Sequence, residues 1–334
     1  TQIELAAGLC SGRLILVGDP NQALYGWRGA DSGAMDRMTK QLKCTVMRLS
    51  TCYRCSKSII KEAQRFVPAI QPWEHAIEGS VKHVSMRRMS QLVKVGDFVI
   101  SRINAPLMMI CLKLISKGVR ALMAGNDIGK QILKMIEDVE GSGRTRIPFK
   151  DAADMWERMV AWGKQEKQSI EEVVRRKFVN AREKRIKAEI ETRVEVLRDK
   201  LGMISVMLKE LKTPEAVKRR IEGLFEDADK DGEESGDRRN YVLCSSVHKA
   251  KGLEANTVFV LRDTLRTKNR EEKNIIYVAV TRAQENLYLV TSEMDDHAED
   301  VDAADISVHW SDEKPESEYY GRDEDGDGDE NEDS

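Results

Sequence analysis

The sequence predicts an α/β fold built on a parallel sheet, interrupted by a charged helical insertion and followed by an acidic tail. Three observations carry this. Over 97–124 a strand-like run, a helix-like run and a second strand-like run follow one another, the pattern of parallel strands joined by a crossover helix. Ile190, Val194, Leu197, Leu201, Ile204, Leu208 and Leu211 then advance in steps of three and four, an apolar stripe among Lys, Arg and Glu. Finally, residues 293–334 hold 19 acidic residues against two basic ones, Lys314 and Arg322.

Each element follows in order. Apolar runs at 13–18 (RLILVG) and 46–49 read as closing strands of an α/β domain whose beginning is missing, so 1–48 is assigned as its C-terminal remnant. Lys57 to Ile70 has helical spacing. Asp97–Ser101 reads as a strand, Ala105–Lys117 as a helix and Val119–Ala124 as a strand. Thr213 before Pro214 reads as an N-cap followed by proline at the first helical position, opening a new helix. Tyr241–Ser246 and Thr257–Leu261 are β-rich, Glu271–Thr281 is helical, and Asn286–Thr291 is a last strand. The second α/β domain is thus expected at 49–144 and 236–293, split by a helical insertion over 145–235. A disordered acidic tail is expected over 294–334. The apolar stripe covers about three heptads, which suits a packed hairpin or small bundle better than an independent coiled coil.

At 334 residues the chain has room for about two domains. No apolar run approaches the ~18 residues that span a bilayer, and Thr1 opens no signal-peptide pattern, so no membrane partner is expected. The six cysteines are scattered through strand-like and helix-like segments, as reduced and mostly buried thiols would be. A cytoplasmic or nuclear location is expected. The net charge of −3 hides a segregation: residues 1–292 carry 52 basic against 38 acidic residues, net +14. A basic body suits phosphate contacts, with a tail that competes for the same surface or serves solubility alone.

Three motif fragments carry no chemistry. GNDIGKQ (125–131) sits like a phosphate loop but is one residue short and offers Gln131 where a Mg²⁺-binding hydroxyl belongs, so it reads as a strand-to-helix turn. DADKDGEESGDR (227–238) ends on Arg238 instead of the glutamate that closes a Ca²⁺ loop, and reads as an acidic linker. Cys52 and Cys55 form a lone C-x-x-C with no second pair for zinc.

Four blocks remain. In VGDPNQALYGWRGAD (17–31), Gln22 is expected at a strand's C-terminal end, where an amide can donate to a phosphate oxygen and accept from an attacking water. Tyr25, Trp27 and Arg28 set aromatics beside a cation, the combination that stacks on single-stranded bases for about 1–3 kcal/mol each. Trp27 taken alone reads as core filling. LSTCYRCS (49–56), SSVHKAKGLEA (245–255) and IIYVAVTRA (275–283) follow in that order. Arginine in such a block suits a phosphate because its planar fork stays charged and binds two oxygens at once.

In that order the blocks resemble motifs III to VI of the UvrD/Rep-like superfamily 1 DNA helicases, and SRINAP (101–106) is similar to a segment of their second motor domain. The resemblance implies a RecA-like fold of the P-loop NTPase superfamily and an ATP-dependent DNA helicase, 3′ to 5′ in direction, acting on single-stranded and duplex DNA. It implies that Tyr53 stacks on adenine, that Gln22, Arg54 and Arg282 sense and stabilise the γ-phosphate, and that Gly252 and Glu254 contact nucleotide. Tyr25, Trp27, Arg28, His248 and Lys249 are implied DNA contacts. Cys52 and Cys55 depart from the family's more usual Asn and Ser. ATP with Mg²⁺ is the implied cofactor. No G-x-x-x-x-G-K-[ST] loop and no Asp-Glu strand end precede the blocks, so the Mg²⁺ ligands are expected from a missing N-terminal motor half, in cis or in trans. Residues 1–334 alone are expected to be inactive. Two rivals stand beside this reading: a non-catalytic DNA-binding or interaction module, and one chain of a split helicase.

Overall fold

Parallel strands buried on both faces need apolar side chains at successive positions, and the centre of this protein is such a sheet. The computed structural model describes residues 8–9, 14–24, 33–141, 143–179, 181–234, 240–267 and 270–291. After a single 3₁₀ turn at Pro20–Gln22 come α1 (Ala34–Gln41), β1 (Thr51–Cys52), α2 (Lys57–Ala63), β2 (Gln71–Pro72), β3 (Ser80–Ser85) and α3 (Met86–Leu92). β4 (Phe98–Ser101), α4 (Ala105–Ser116), β5 (Ala121–Met123) and α5 (Asn126–Glu140) follow. Three long helices, α6 (Ala152–Lys177), α7 (Glu183–Glu210) and α8 (Pro214–Glu234), separate them from β6 (Val242–Ser246). The chain then runs through α9 (Val247–Ala250), β7 (Ala255–Leu261), α10 (Arg270–Val280) and β8 (Ala283–Thr291).

β1 and β2 pair alone, and the six remaining strands form one sheet in the order β3-β8-β7-β4-β6-β5, every pairing parallel. Side chains alternate between two cores. Phe98, Ile100, Val258, Val260, Leu287 and Leu289 face α2, α9 and α10. Val99, Phe259, Val242, Cys244 and Val290 face α3, α4 and α5. The long helices join that second core through Met155, Met159, Leu201, Ile204, Val217 and Phe225, so the insertion shares its apolar interior with the sheet.

Specific contacts fix the insertion in place. Asp199 on α7 caps α4, accepting from the backbone N–H of Asn104 and Ala105 at 2.8 Å each and from Asn104 Nδ2 at 2.9 Å. Glu140 on α5, 5% exposed, pairs with Lys218 Nζ of α8 at 2.6 Å and Arg146 Nη2 at 3.0 Å. A Cβ at Gly129 would lie 2.8 Å from the Phe225 ring, so this glycine lets α8 lie against α5. The GNDIGKQ stretch is the expected turn, entering α5 through Gly125 at φ 110°. Thr213 caps α8 as expected, its Oγ1 accepting from Ala216 N at 3.3 Å.

Several expectations need correction. Neither 14–18 nor 46–49 is a strand, and Ile15 and Val17 are 83% exposed and Leu49 92%. A strand needs a neighbour for its backbone N–H and C=O, and among the described residues nothing pairs with either run. The helix read over 57–70 ends at Ala63. Residues 227–234 continue α8 instead of forming a linker, and 235–239 lie outside the described residues, as does the expected acidic tail. β3 and α3 were not foreseen: β3 is an edge strand whose Lys82 and His83 are exposed.

Candidate functional site

Two groups of predicted residues are assembled against α10. The first gathers where β7 and β8 begin. Their pairing sets Ala255 opposite Ala283 and so brings Glu254 beside Gln284, whose Nε2 donates to Glu254 Oε1 at 2.9 Å. The loop between β1 and α2 is tied to the same place because Ser56 N donates to Gln284 O at 2.8 Å. Arg54 in that loop forms an ion pair with Glu254, both side chains being about two-fifths exposed.

Arg282 lies beneath this pair, 2% exposed. Its Nε donates to Val278 O at 2.9 Å and its Nη1 to Leu253 O at 3.1 Å, with Nη2 3.4 Å from Thr281 Oγ1. Burial and the neighbouring Arg54 both press its pKa below the usual arginine value. Two guanidinium groups that repel one another beside a single carboxylate make a site that an added polyanion relieves.

Tyr53 projects from the same loop, 75% exposed, with its ring centroid 5.9 Å from that of Trp73 and tilted 45° to it. Trp73 meets His75 edge-on at 5.0 Å. Sequence reasoning missed Trp73 and His75, which stand in no motif. They join Tyr53 because β1 and β2 pair, with Trp73 N donating to Cys52 O at 3.0 Å.

The second group docks residues 19–24. Asp19 accepts from Asn21 N and from Gln22 Nε2, both at 2.9 Å, so Gln22 sits in a capped turn and not at the end of a strand. Lys251 Nζ donates to Gln22 O at 3.0 Å. Asn274 Nδ2 on α10 lies 3.2 Å from Pro20 O and 3.3 Å from Ala23 O. His248 Nε2 hydrogen-bonds the Leu24 carbonyl at 3.2 Å, which requires the proton on Nε2. Burial, with Arg102 nearby, pushes the His248 pKa down to about 4, so the imidazole is neutral at pH 7.

Tyr277 on α10 lies between the two groups. Burial first, then Asp19, Cys52 and Cys55, push its hydroxyl up to about 12, with Arg282 opposing. Lys249 is drawn the other way, to Asp127 Oδ1 at 2.5 Å. Gly252 has φ +91°, a left-handed turn that favours glycine, with open space where a side chain would stand. Tyr25, Trp27 and Arg28 lie outside the described residues.

The cation pair fits the phosphates of a nucleotide. Mg²⁺ finds no such fit, because no three His, Cys, Asp or Glu side chains among the described residues are placed to hold a metal ion. No helix among them is long and apolar enough to cross a membrane.

A parallel α/β sheet with paired arginines and a carboxylate at its strand ends defines a protein suited to handling an anion there. The comparisons give the family. The model of the UvrD-like helicase C-terminal domain matches residues 241–290, and that of the UvrD/REP helicase N-terminal domain matches 1–43. DNA helicase II of Haemophilus influenzae is 34% identical over 65 residues, a stretch that is 20% of this chain and 9% of that relative's length. The chain carries UvrD-like helicase sequence in both places, as the motif blocks led us to expect.

Proposed function

We propose that the sheet is the second RecA-like half of an ATP-driven DNA translocase, sharing its nucleotide with a P-loop half supplied in cis or in trans. The observation that carries this reading is the convergence of Arg54, Glu254 and Arg282 at the start of β7 and β8. In this reading Tyr53 and Trp73 hold the base and Glu254 meets the ribose. Arg54 and Arg282 take up charge on the transferred phosphoryl, with Arg282 exchanging its carbonyl partners for phosphate oxygens. α10 relays the exchange to residues 19–24 through Asn274, and so to Gln22 and the aromatic stretch Tyr25, Trp27 and Arg28 that engages single-stranded DNA. His248 belongs to this relay by its bond to Leu24, and Lys249 is released to DNA only if it leaves Asp127. Translocation 3′ to 5′, with unwinding of duplex, is the direction the family resemblance favours.

Exposed Ile15, Val17 and Leu49 support a partner half, since a P-loop domain packed there would bury them. The test is to supply a P-loop half and measure DNA-stimulated ATP hydrolysis. Arg282→Ala should lower turnover by roughly 10³–10⁵, the scale of an arginine finger, while DNA binding without nucleotide barely changes. Equal turnover for both forms would remove Arg282 from the chemistry. One observation favours a non-catalytic DNA-binding module instead: the Arg282 guanidinium is already satisfied by protein acceptors. The same assay separates the two.

A further inference from the structure

Tyr53 and Arg54 are bracketed by two cysteines. Cys52 closes β1 and is half-buried, whereas Cys55 stands just ahead of the α2 N-cap Ser56 and is buried. Both are free thiols. Their side chains are hydrogen-bonded to each other, and Cys55 Sγ also donates to Thr281 O at 3.7 Å, one residue from Arg282. The backbone N–H groups of Arg54 and Cys55 point at the Cys52 sulfur as well. A thiolate at that position is thus met by S–H, by two N–H groups and by a guanidinium, the surroundings of a reactive cysteine.

We propose that Cys52 and Cys55 are a reversible dithiol–disulfide pair that responds to hydrogen peroxide and controls the loop carrying Tyr53 and Arg54. In the first step the Cys52 thiolate attacks one peroxide oxygen. The O–O bond breaks, hydroxide leaves to become water on protonation, and Cys52 becomes a sulfenic acid. The Cys55 sulfur then attacks the Cys52 sulfur, the S–S bond forms and the S–O bond breaks. The departing hydroxide leaves with the Cys55 proton as a second water. In sum the two thiols lose two electrons and two protons, and one peroxide becomes two waters. A small dithiol reverses the change through a mixed disulfide.

Burial and charge sort the roles. The hydrogen bond from Cys55, helped by the backbone N–H groups and Arg54 and opposed by burial, brings the Cys52 pKa down to about 5. Cys55 is pushed up, first by that same bond to Cys52, then by burial. Oxidising Cys52 removes the negative charge that holds the Cys55 proton in place, which frees the second sulfur to react. Cys111 and Cys244, also hydrogen-bonded to each other, have no such setting: both are 0% exposed, and the Cys244 pKa is raised. They serve as internal controls.

Closing the disulfide takes Cys55 from Thr281 O and draws the two ends of the Tyr53-Arg54 segment together, away from its pairing with Glu254. That this alters nucleotide handling rests on the proposed reading of Arg54. The sulfur chemistry does not.

The test uses the full chain. Trypsin cuts after Arg48, Arg54 and Lys57, so a disulfide would join the peptides LSTCYR and CSK. After peroxide treatment and alkylation, mass mapping should find that joined pair, lost again on treatment with dithiothreitol, while Cys111 and Cys244 remain alkylatable after denaturation. In Cys55→Ser the Cys52 sulfenic acid should persist and be trapped by dimedone. Unlinked LSTCYR and CSK in the folded wild-type chain, at peroxide doses that oxidise a free dithiol peptide, would overturn the proposal. A fluorescent ADP analogue reads the consequence: oxidised wild type should bind about tenfold more weakly than reduced. A disulfide that forms with no change in binding supports the dithiol and counts against the assignment of Arg54.

Discussion

Arg54 reaches from the loop after β1 to Glu254 at the head of β7, joining residues 200 positions apart in sequence at the point where the two predicted nucleotide contacts meet. A partly exposed ion pair is worth about 0–1 kcal/mol, so its purpose is poorly explained by stability. Arg54→Ala should therefore leave the urea midpoint nearly unchanged and weaken binding of a fluorescent ADP analogue by about tenfold or more. A large drop in midpoint with binding intact would make the pair structural.

Asp199 should behave in the opposite way. Removing a buried cap that accepts from Asn104 N, Asn104 Nδ2 and Ala105 N leaves the start of α4 without partners, at a cost of about 2–3 kcal/mol. Asp199→Ala should lower the free energy of unfolding in urea by that amount, and Asp199→Asn by less. Equal stability of the alanine variant and wild type would mean the cap is replaced by water.

His248 makes stability depend on pH in a defined window. The unfolded chain protonates histidine near pH 6.5, the folded chain only near 4, so between these values the unfolded state binds more protons. Its contribution is complete above about pH 6.5 and is lost as pH falls toward 4. His248→Gln, which keeps a donor for Leu24 O, should flatten the fall in Tm over that range. An unchanged pH profile would show that His248 is accessible to protons in the folded state.

Gly252 tests backbone strain apart from packing. With φ +91° and nothing within reach of a Cβ, Gly252→Ala should cost about 1–2 kcal/mol from the left-handed conformation alone. Calorimetry should show that loss with ATP-analogue and DNA affinities retained. A steep loss of nucleotide affinity instead would support close approach of a phosphate to this turn.

The legible parts of the sequence were those whose pattern is local. The strand, helix and strand over 98–123, the stripe on α7 and the Thr213 cap each follow from spacing within a few turns. β3 was illegible because an edge strand with Lys82 and His83 outward lacks the apolar alternation that marks a buried one. The runs at 14–18 and 46–49 have strand composition without a neighbour to pair with, and composition alone cannot supply one. At the site, Arg54, Glu254 and Arg282 were legible from their blocks, and the structure brings them together. Trp73 was not, because only the pairing of β1 with β2 sets it beside Tyr53. The glycine pattern of GNDIGKQ misleads for a similar reason: Gly129 answers to Phe225, nearly a hundred residues away.

The strand order has a consequence for how the molecule is made. β3, β4 and β5 never touch one another, since β8 and β7 separate the first two and β6 separates the last two. All three intervening strands come from residues 242–291. During vectorial synthesis a nascent chain therefore finishes α6, α7 and α8 while its early strands still lack partners, and the final fifty residues close the sheet like a zip. Long-range pairing of this kind is slow to form and leaves strand edges open meanwhile. A ribosome-stalled chain ending before Tyr241 should present those edges to chaperones, and one extended past Thr291 should not.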